Sequence, residues 1–272
     1  MIVPDQETFI DCLRYLSSII RFEDKTPIYE FTGGEPSQIP YFNKLLTEAS
    51  GNYPPSYRLV TNGSGSMEWW EDVGPQFDDI EISYHTMYAR RDHIIEVYKF
   101  LKNLDNDPKV TIKIHVTNDD KNWMRGIGVF EYFKSIGITS ELKLLYSDFT
   151  KGTQLYPYKT YQLEYYYHSI GKVFELEKTV HRGVGIIPSR YRHDITKEKL
   201  EDKSYNFKNM KCNAGLEQLI VDDKGDVFVG WCKVNGSIGN VFKRNVSLPT
   251  DPLICTKDYC RNGFDRQAKK FI

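Results

Sequence analysis

Five short apolar segments recur between more polar stretches of the chain, and their richness in β-branched, aromatic or aliphatic residues predicts β-strands. These segments are Ile28 to Phe31, Tyr57 to Thr61, Ile80 to Ser83, Val110 to Val116 and Glu141 to Tyr146. Apolar residues that recur every three or four positions predict amphipathic helices at residues 5–21, 41–48, 90–104 and about 122–136. Strands that alternate with helices predict an α/β fold with parallel strands and right-handed crossovers.

Polar groups follow the predicted strands at their carboxyl ends. They are Thr32-Gly33-Gly34, Thr61-Asn62, Ser83-Tyr84-His85, Thr117-Asn118 and Tyr146-Ser147. In a βα barrel these strand ends converge on one rim, where loops on a rigid base bind substrates and cofactors. The alternative is that strand ends simply run into loops, which are polar in most proteins.

The composition changes after residue 150. Six tyrosines crowd one short stretch, namely Tyr156, Tyr158, Tyr161, Tyr165, Tyr166 and Tyr167. Such a cluster can bind a ligand, but rings that cover a core while their hydroxyl groups stay in water are the more common arrangement. We therefore interpret residues 151–210 as a connecting segment whose tyrosines pack.

Cysteines concentrate near the end of the chain. Of the five, only Cys12 precedes the last 61 residues, and we expect it to pack within the first helix. The other four are Cys212, Cys232, Cys255 and Cys260, and residues 219–229 between the first two predict a β-hairpin around Asp223-Lys224-Gly225. Four thiolates suit an iron-sulfur cluster or a zinc ion, and we favour a metal site over disulfides.

Charge and hydropathy argue against two classes of partner. The chain carries 36 Lys and Arg against 37 Asp and Glu, so its net charge of -1 provides no attraction to nucleic acid or to an anionic membrane. No apolar run approaches the ~20 residues that span a bilayer, and residues 1–6 lack the features of a secretion signal. We expect a cytoplasmic protein.

Three motifs in order along the chain point to one family. Phe31-Thr32-Gly33-Gly34-Glu35-Pro36 follows a predicted strand, Leu59-Val60-Thr61-Asn62-Gly63 comes one βα unit later, and Ile82-Ser83-Tyr84-His85 follows. Two glycines permit positive φ angles and a close approach of ligand to backbone. The ordered set resembles the radical S-adenosyl-L-methionine (radical SAM) superfamily.

The resemblance implies a cofactor site for S-adenosyl-L-methionine (AdoMet). In that family the loop equivalent to Gly33, Gly34 and Glu35 contacts the amino group of AdoMet, and Pro36 would shape the loop. Ser83 and His85 would lie near the ribose and the carboxylate, together with Asn118. For His85, a histidine that merely completes the rim is an equal alternative.

The resemblance also implies a domain arrangement. Residues 1–150 would form a partial (βα)6 TIM-like barrel with its first strand missing, and residues 151–210 would connect it to a small Cys-rich β-hairpin domain at 211–272. That domain resembles the SPASM and twitch type, which carries an auxiliary 4Fe-4S cluster. Its ligands would be Cys212, Cys232, Cys255 and Cys260, although four residues separate the last pair where two are common. A zinc ion and thiols without a metal are the two alternatives.

The family's catalytic 4Fe-4S cluster has no ligands in this sequence. Its Cys-x3-Cys-x2-Cys loop should precede the strand at residue 28, and no such motif occurs. We expect an N-terminally incomplete radical SAM enzyme that modifies a peptide or protein, with flavodoxin or ferredoxin as reductant. The alternative is a catalytically inactive scaffold or binding protein with a structural metal site of four cysteines; for the chain as written we expect weak AdoMet binding at most.

Overall fold

The computed structural model describes residues 5–20, 28–49, 56–145, 156–171, 207–257, 265 and 268–271. The chain divides into two compact units. Unit 1 combines Met1–Arg21 with Val184–Ile272, and unit 2 is Phe22–Gly183.

Unit 2 is built on a parallel sheet of five strands in the order β1-β2-β3-β4-β5. The strands are β1 (Ile28–Phe31), β2 (Ser56–Thr61), β3 (Asp79–His85), β4 (Lys109–Val116) and β5 (Ser140–Leu144). All neighbouring pairs are parallel, with consecutive strands adjacent in space. The predicted strands and the α/β class are therefore confirmed.

A helix follows each strand of this sheet, and the first four helices connect consecutive strands. They are α2 (Phe42–Ala49), α3 (Met67–Val73), α4 (Arg91–Lys102), α5 (Asp120–Ser135) and α6 (Thr160–Ser169). Helix α5 begins where the Asp119 carboxylate accepts a hydrogen bond from the Asn122 N–H at 2.8 Å, a standard N-cap. Helix α3 begins in the same way at Ser66. The sequence pattern predicted α2, α4 and α5 but neither α3 nor α6.

The two faces of the sheet differ in chemistry because side chains alternate along each strand. One set of positions is buried and apolar, including Leu59, Ile80, Ile82, Ile112 and Ile114, each at 0% exposure. The alternate positions carry charge. Arg58 forms ion pairs with Glu30 at 3.1 Å and with Glu81 at 3.2 Å.

Unit 1 contains short strands and the first helix of the chain. One three-stranded sheet has β10 (Leu253–Ile254) and β11 (Lys270–Phe271) on either side of β6 (Lys211–Cys212), and the other has the order β7 (Ile220–Val221), β8 (Asp226–Phe228), β9 (Ser237–Asn240). Strands β7 and β8 pair in antiparallel fashion, as the predicted hairpin requires.

Helix α1 (Gln6–Ile19) belongs to unit 1. Its Leu16 packs in one buried cluster with Val227 of β8 and with Val241. The Tyr15 hydroxyl accepts a hydrogen bond from the Val246 N–H at 3.1 Å. The sequence interpretation placed this helix in a barrel ending at residue 150, whereas the structure groups it with the C-terminal residues.

None of the helices in the described part of the chain has both the length and the apolar character that crossing a bilayer requires.

Candidate functional site

A cavity of about 560 Å³ opens at the carboxyl ends of the parallel strands in unit 2. Ligand pockets commonly lie at this edge of a parallel sheet. The residues that line it come from the strands, the turns after them and the segment before α6: Thr32, Gly33, Gly34, Glu35, Val60, Thr61, Asn62, Ser83, His85, His115, Leu145 and Tyr156. The structure thus brings five of the predicted cofactor-binding residues to one cavity.

The two glycines after β1 form the part of the wall where backbone is most accessible. Gly33 has φ +80° and Gly34 φ +62°, in the left-handed region that other L-residues enter only with strain. A Cβ atom added at Gly33 would meet no atom within 4 Å. Glycine is therefore favoured at this position by the backbone angle and not by crowding.

Glu35 holds this loop against the end of β2. Its Oε1 accepts hydrogen bonds from Thr61 Oγ1 at 2.6 Å and from Ser37 Oγ at 2.9 Å, and its Oε2 accepts from the Asn62 N–H at 2.8 Å. Pro36 is buried and starts a single 3-10 turn over residues 36–38. The carboxylate lines the cavity but is engaged within the protein, so its observed contacts fix the shape of the loop.

Two histidines on adjacent strands form a second wall. His85 of β3 and His115 of β4 are direct partners in the sheet register, and their rings meet edge to face with centroids 4.6 Å apart. Both ring nitrogens of His115 are buried and have no hydrogen-bond partner among the described residues. This histidine escaped the sequence analysis because it lies inside a strand with no motif around it, although it occupies an alternate, non-core position of β4.

The environment keeps both imidazoles neutral. Burial lowers the pKa of His115 to about 3, and the charge of Lys143 on β5 and the neighbouring His85 contribute to the decrease. Burial, with a contribution from Lys143, also lowers the pKa of His85. Neutral imidazole carries one donor and one acceptor nitrogen, so this wall can hydrogen-bond a polar ligand group of either kind.

Two of the predicted site residues do not line the cavity. Pro36 is buried and starts the 3-10 turn that follows the loop. The Asn118 carbonyl oxygen accepts a hydrogen bond from Gln162 Nε2 at 3.3 Å. Asn118 therefore takes part in the contact between the end of β4 and helix α6.

Some tyrosines of the cluster contact neighbouring elements of the protein, and one lines the cavity. The Tyr158 hydroxyl donates to the Val116 carbonyl at 2.6 Å and accepts from the Leu145 N–H at 2.8 Å, so it joins the ends of β4 and β5. The Tyr161 hydroxyl donates to the Asp120 carboxylate at 2.6 Å. Only Tyr156 of the cluster lines the cavity.

Three of the predicted metal ligands lie close together in unit 1. Cys212 and Cys255 are buried members of one apolar cluster, and Cys232 packs against it partly exposed. Cys260 lies outside the described residues. As placed in the described ranges, no three His, Cys, Asp or Glu side chains could hold a metal ion.

Cys232 has the most distinctive surroundings of these thiols. Burial raises its pKa to about 11, and the nearby Asp265 carboxylate and Cys212 add to the increase. A hydrogen bond from the Val234 backbone N–H acts in the opposite direction. Cys12, in contrast, is a buried free thiol in the cluster around Leu16, as predicted.

Comparison with known proteins gives a likeness of fold. No protein-family model matches the chain, and no curated protein matches it significantly. A solved structure described as histidine-tagged anSMEcpe with bound AdoMet superposes with a TM-score of 0.53 at 16% sequence identity. The match covers 90% of this chain and 70% of that one. The chain therefore shares a mixed α/β fold with a protein whose structure contains AdoMet.

Proposed function

We propose that this chain is a radical SAM protein that binds AdoMet in the cavity of unit 2. The observation that carries the proposal is the Gly33-Gly34-Glu35 loop, which lines that cavity with positive φ angles and a fixed carboxylate. The likeness of fold to the solved structure described as anSMEcpe with bound AdoMet supports it. A cavity of about 560 Å³ lies in the usual range for small-molecule sites.

In this proposal each wall has a separate task. The exposed peptide groups of Gly33 and Gly34 take the amino group of AdoMet, while Glu35 keeps their orientation. Ser83 and the neutral His85 provide hydrogen bonds to the remaining polar groups, while the ring of His115 packs against that of His85. Bound AdoMet supplies a 5'-deoxyadenosyl radical when an iron-sulfur cluster reduces it. By analogy with the family, the substrate is a peptide or protein and the electron donor a flavodoxin or ferredoxin.

The residues of unit 2 do not fit the catalytic cluster. The sequence has no cysteine between residues 13 and 211, so no thiol of unit 2 can bind iron beside the cavity. We therefore derive no step through such a cluster. The same observation favours a second function, an AdoMet-binding or scaffold protein without radical chemistry.

We further propose a metal site in unit 1, as the auxiliary 4Fe-4S cluster of the SPASM and twitch type. The convergence of Cys212, Cys232 and Cys255 on one apolar cluster supports it, because soft thiolates bind iron and zinc. Cys260 is the fourth ligand that the spacing suggests.

Equilibrium dialysis with labelled AdoMet tests the proposed cofactor site. Gly33→Asn tolerates the left-handed backbone but places a side chain in the cavity, so we expect it to weaken AdoMet binding at least tenfold. Gly128→Ala on the exposed surface of α5 is the matched control, since its added Cβ also meets no atom within 4 Å. We expect a wild-type Kd above about 1 µM. Equal binding by wild type and Gly33→Asn would place the ligand elsewhere.

Anaerobic reconstitution followed by reduction separates the two functions. Formation of 5'-deoxyadenosine from AdoMet by this chain would eliminate the scaffold. Binding of AdoMet without cleavage would favour the scaffold for the chain as given.

A further inference from the structure

We infer that an exposed surface beside the cavity of unit 2 binds an acidic segment of the peptide or protein substrate. The residues that form this arginine surface are Met87 and Tyr88 after β3, Arg91 on α4, and Arg125 and Tyr132 on α5. The inference rests on the proposed function, because the substrate must reach the cavity in which AdoMet is held. It adds the chemistry of that substrate, which no motif in the sequence indicates.

The turn after β3 presents two large side chains to solvent. Tyr88 is 87% exposed and Met87 57%, so packing within the protein does not account for either side chain. The turn is nevertheless held in place. The Tyr88 N–H donates to the His85 carbonyl at 2.9 Å. Thr86 Oγ1 accepts a hydrogen bond from Asn122 Nδ2 at 2.6 Å. A fixed turn loses little conformational freedom on binding, and methionine and tyrosine are enriched where proteins bind other chains.

Contacts connect this turn to the two helices beside it. An N–H group of the Arg125 guanidinium donates to the Met87 sulfur at 3.2 Å. The Arg91 guanidinium lies over the Tyr132 ring, 4.7 Å from its centroid. Burial raises the pKa of the Tyr84 hydroxyl and the charges of Arg91 and Arg125 oppose the increase, so both guanidinium groups lie near this ring. The side chains of the arginine surface are therefore neighbours.

The charge of the arginine surface is positive. Arg125 makes no ion pair within the part of the chain that the structure describes, and its contact is with the Met87 sulfur. Arg91 pairs at 3.4 Å with the carboxylate of Asp92, which is 90% exposed. An exposed pair of this kind is weak, so a carboxylate of a ligand can compete for the same guanidinium group. Arginine binds carboxylates well because its planar group offers two parallel N–H donors.

The arginine surface lies next to the cavity. His85 lines the cavity and Met87 is two residues further along the chain, so their Cα atoms are at most ~7 Å apart. A peptide that lies on Met87 and Tyr88 therefore places a neighbouring residue at the opening of the cavity. Acidic side chains that alternate with apolar ones fit this surface, since arginine binds carboxylates while methionine and tyrosine cover apolar groups.

Fluorescence anisotropy of a labelled peptide of alternating glutamate and leucine tests the inference on the full-length chain. We expect wild type to bind this peptide, and Arg125→Gln and Arg91→Gln each to weaken binding about three- to tenfold. Tyr88→Ser should weaken binding by a similar factor, because it removes an exposed aromatic ring. Lys243→Gln and Val221→Ser, which change exposed residues of unit 1, are the matched controls and should bind the peptide as wild type does.

Two further peptides separate the effect of charge from that of apolar contact. One alternates lysine with leucine and the other glutamate with serine, and we expect both to bind at least about fivefold more weakly. Equal binding of the lysine and glutamate peptides with leucine would overturn the inference, as would wild-type affinity in both Arg125→Gln and Arg91→Gln. Absence of binding by wild type would also overturn it. If flavodoxin then binds wild type but not Arg125→Gln, the surface belongs to an electron donor instead.

AdoMet binding is measured on the same preparations, since Tyr88, Arg91 and Arg125 are not among the residues that line the cavity. Loss of peptide binding in their variants, with AdoMet binding retained, is the expected result. Failure of the proposed cofactor site alone would appear as absence of AdoMet binding by wild type with peptide binding intact. Failure of this inference alone would appear as normal AdoMet binding with a peptide affinity that the three substitutions do not change.

Discussion

Glu35 accepts four hydrogen bonds: two from Ser37, through its N–H and Oγ, within the local turn, and two from Thr61 Oγ1 and the Asn62 N–H, which connect the glycine loop to the end of β2. Glu35→Gln exchanges one acceptor oxygen for an amide that donates, so at least one of these donors loses its partner. We expect the free energy of unfolding to fall by about 1–3 kcal/mol, measured by urea denaturation. Glu96→Gln, on the exposed surface of α4, is the control. Equal stability of both variants would contradict the role of Glu35.

His115 makes the stability of the fold dependent on pH. Its pKa is about 3 in the folded protein, below the ordinary value of 6.5 that applies to the unfolded chain. Between these two pKa values the unfolded chain binds a proton at this histidine and the folded chain does not. The contribution of neutral His115 to the free energy of unfolding is therefore fully present above pH 6.5 and is lost as the pH falls from 6.5 towards 3. The expected slope is up to about 1.4 kcal/mol per pH unit.

His115→Asn tests this dependence because asparagine remains neutral throughout the range. We expect urea unfolding of the variant at pH 5, 6 and 7 to give a shallower slope than wild type. The exposed His168→Asn on α6 should keep the wild-type slope. A residual slope in His115→Asn is expected from His85, whose pKa is also lowered. An unchanged slope in His115→Asn would disprove the assignment.

At the scale of elements, Tyr158 joins the carboxyl ends of two neighbouring strands, β4 and β5. Tyr158→Phe removes a donor to the Val116 carbonyl and an acceptor for the Leu145 N–H, both at the carboxyl edge. We expect a loss of about 1–3 kcal/mol in the free energy of unfolding. Tyr161→Phe, which removes an exposed hydroxyl contact with Asp120, should change it by less than about 0.5 kcal/mol. Similar losses in both variants would show that Tyr158 has no special role.

The elements that sequence reasoning found are those with a clear period. Alternation along β2, β3 and β4 is regular because one face of the sheet is buried, and the strand predictions succeeded for that reason. Helix α3 has only seven residues, too few to establish a helical period. Helix α6 is almost entirely aromatic and polar over Thr160–Ser169, so apolar residues do not recur every three or four positions in its sequence.

The sequence predicted those residues of the cavity that belong to a recognisable motif. It did not predict the residues that only the folded chain brings to the cavity. Gly33, Gly34 and Glu35 belong to a string of recognisable residues next to a predicted strand. His115 and Tyr156 reach the same cavity through sheet register and a long connection. The spacing of residues along the chain gives no sign that His115 and Tyr156 line the cavity.

At the scale of the whole molecule, α1 shows that an amphipathic pattern does not predict which part of the chain covers the apolar face of a helix. The period of Ile10, Leu16 and Ile19 predicts which side of the helix is covered but does not say by what. The structure supplies β8 and the residues after β9 as the cover. The family resemblance placed this helix with residues 1–150, whereas the structure groups it with Val184–Ile272.

Leu16→Ala tests the grouping of α1 with unit 1. The substitution leaves a cavity in the cluster with Val227 and Val241, and we expect a loss of about 2–5 kcal/mol. Hydrogen exchange should increase in residues 219–246 and stay unchanged in β2, β3 and β4. Ile94→Ala, in the core of unit 2, should give the reverse pattern. Faster exchange in β2–β4 of Leu16→Ala, with residues 219–246 unaffected, would contradict the grouping.

The ion pair between Asp11 and Arg244 joins residues 233 positions apart in one unit, with all of unit 2 between them in the chain. A ribosome that adds about 5–20 residues per second needs roughly 12 to 47 seconds to cover that distance. During this interval the parallel sheet can fold, while α1 waits for the strands that will cover its apolar side. Helix α1 is thus synthesised before all of unit 2, and its apolar side stays uncovered until the residues that follow unit 2 have been made.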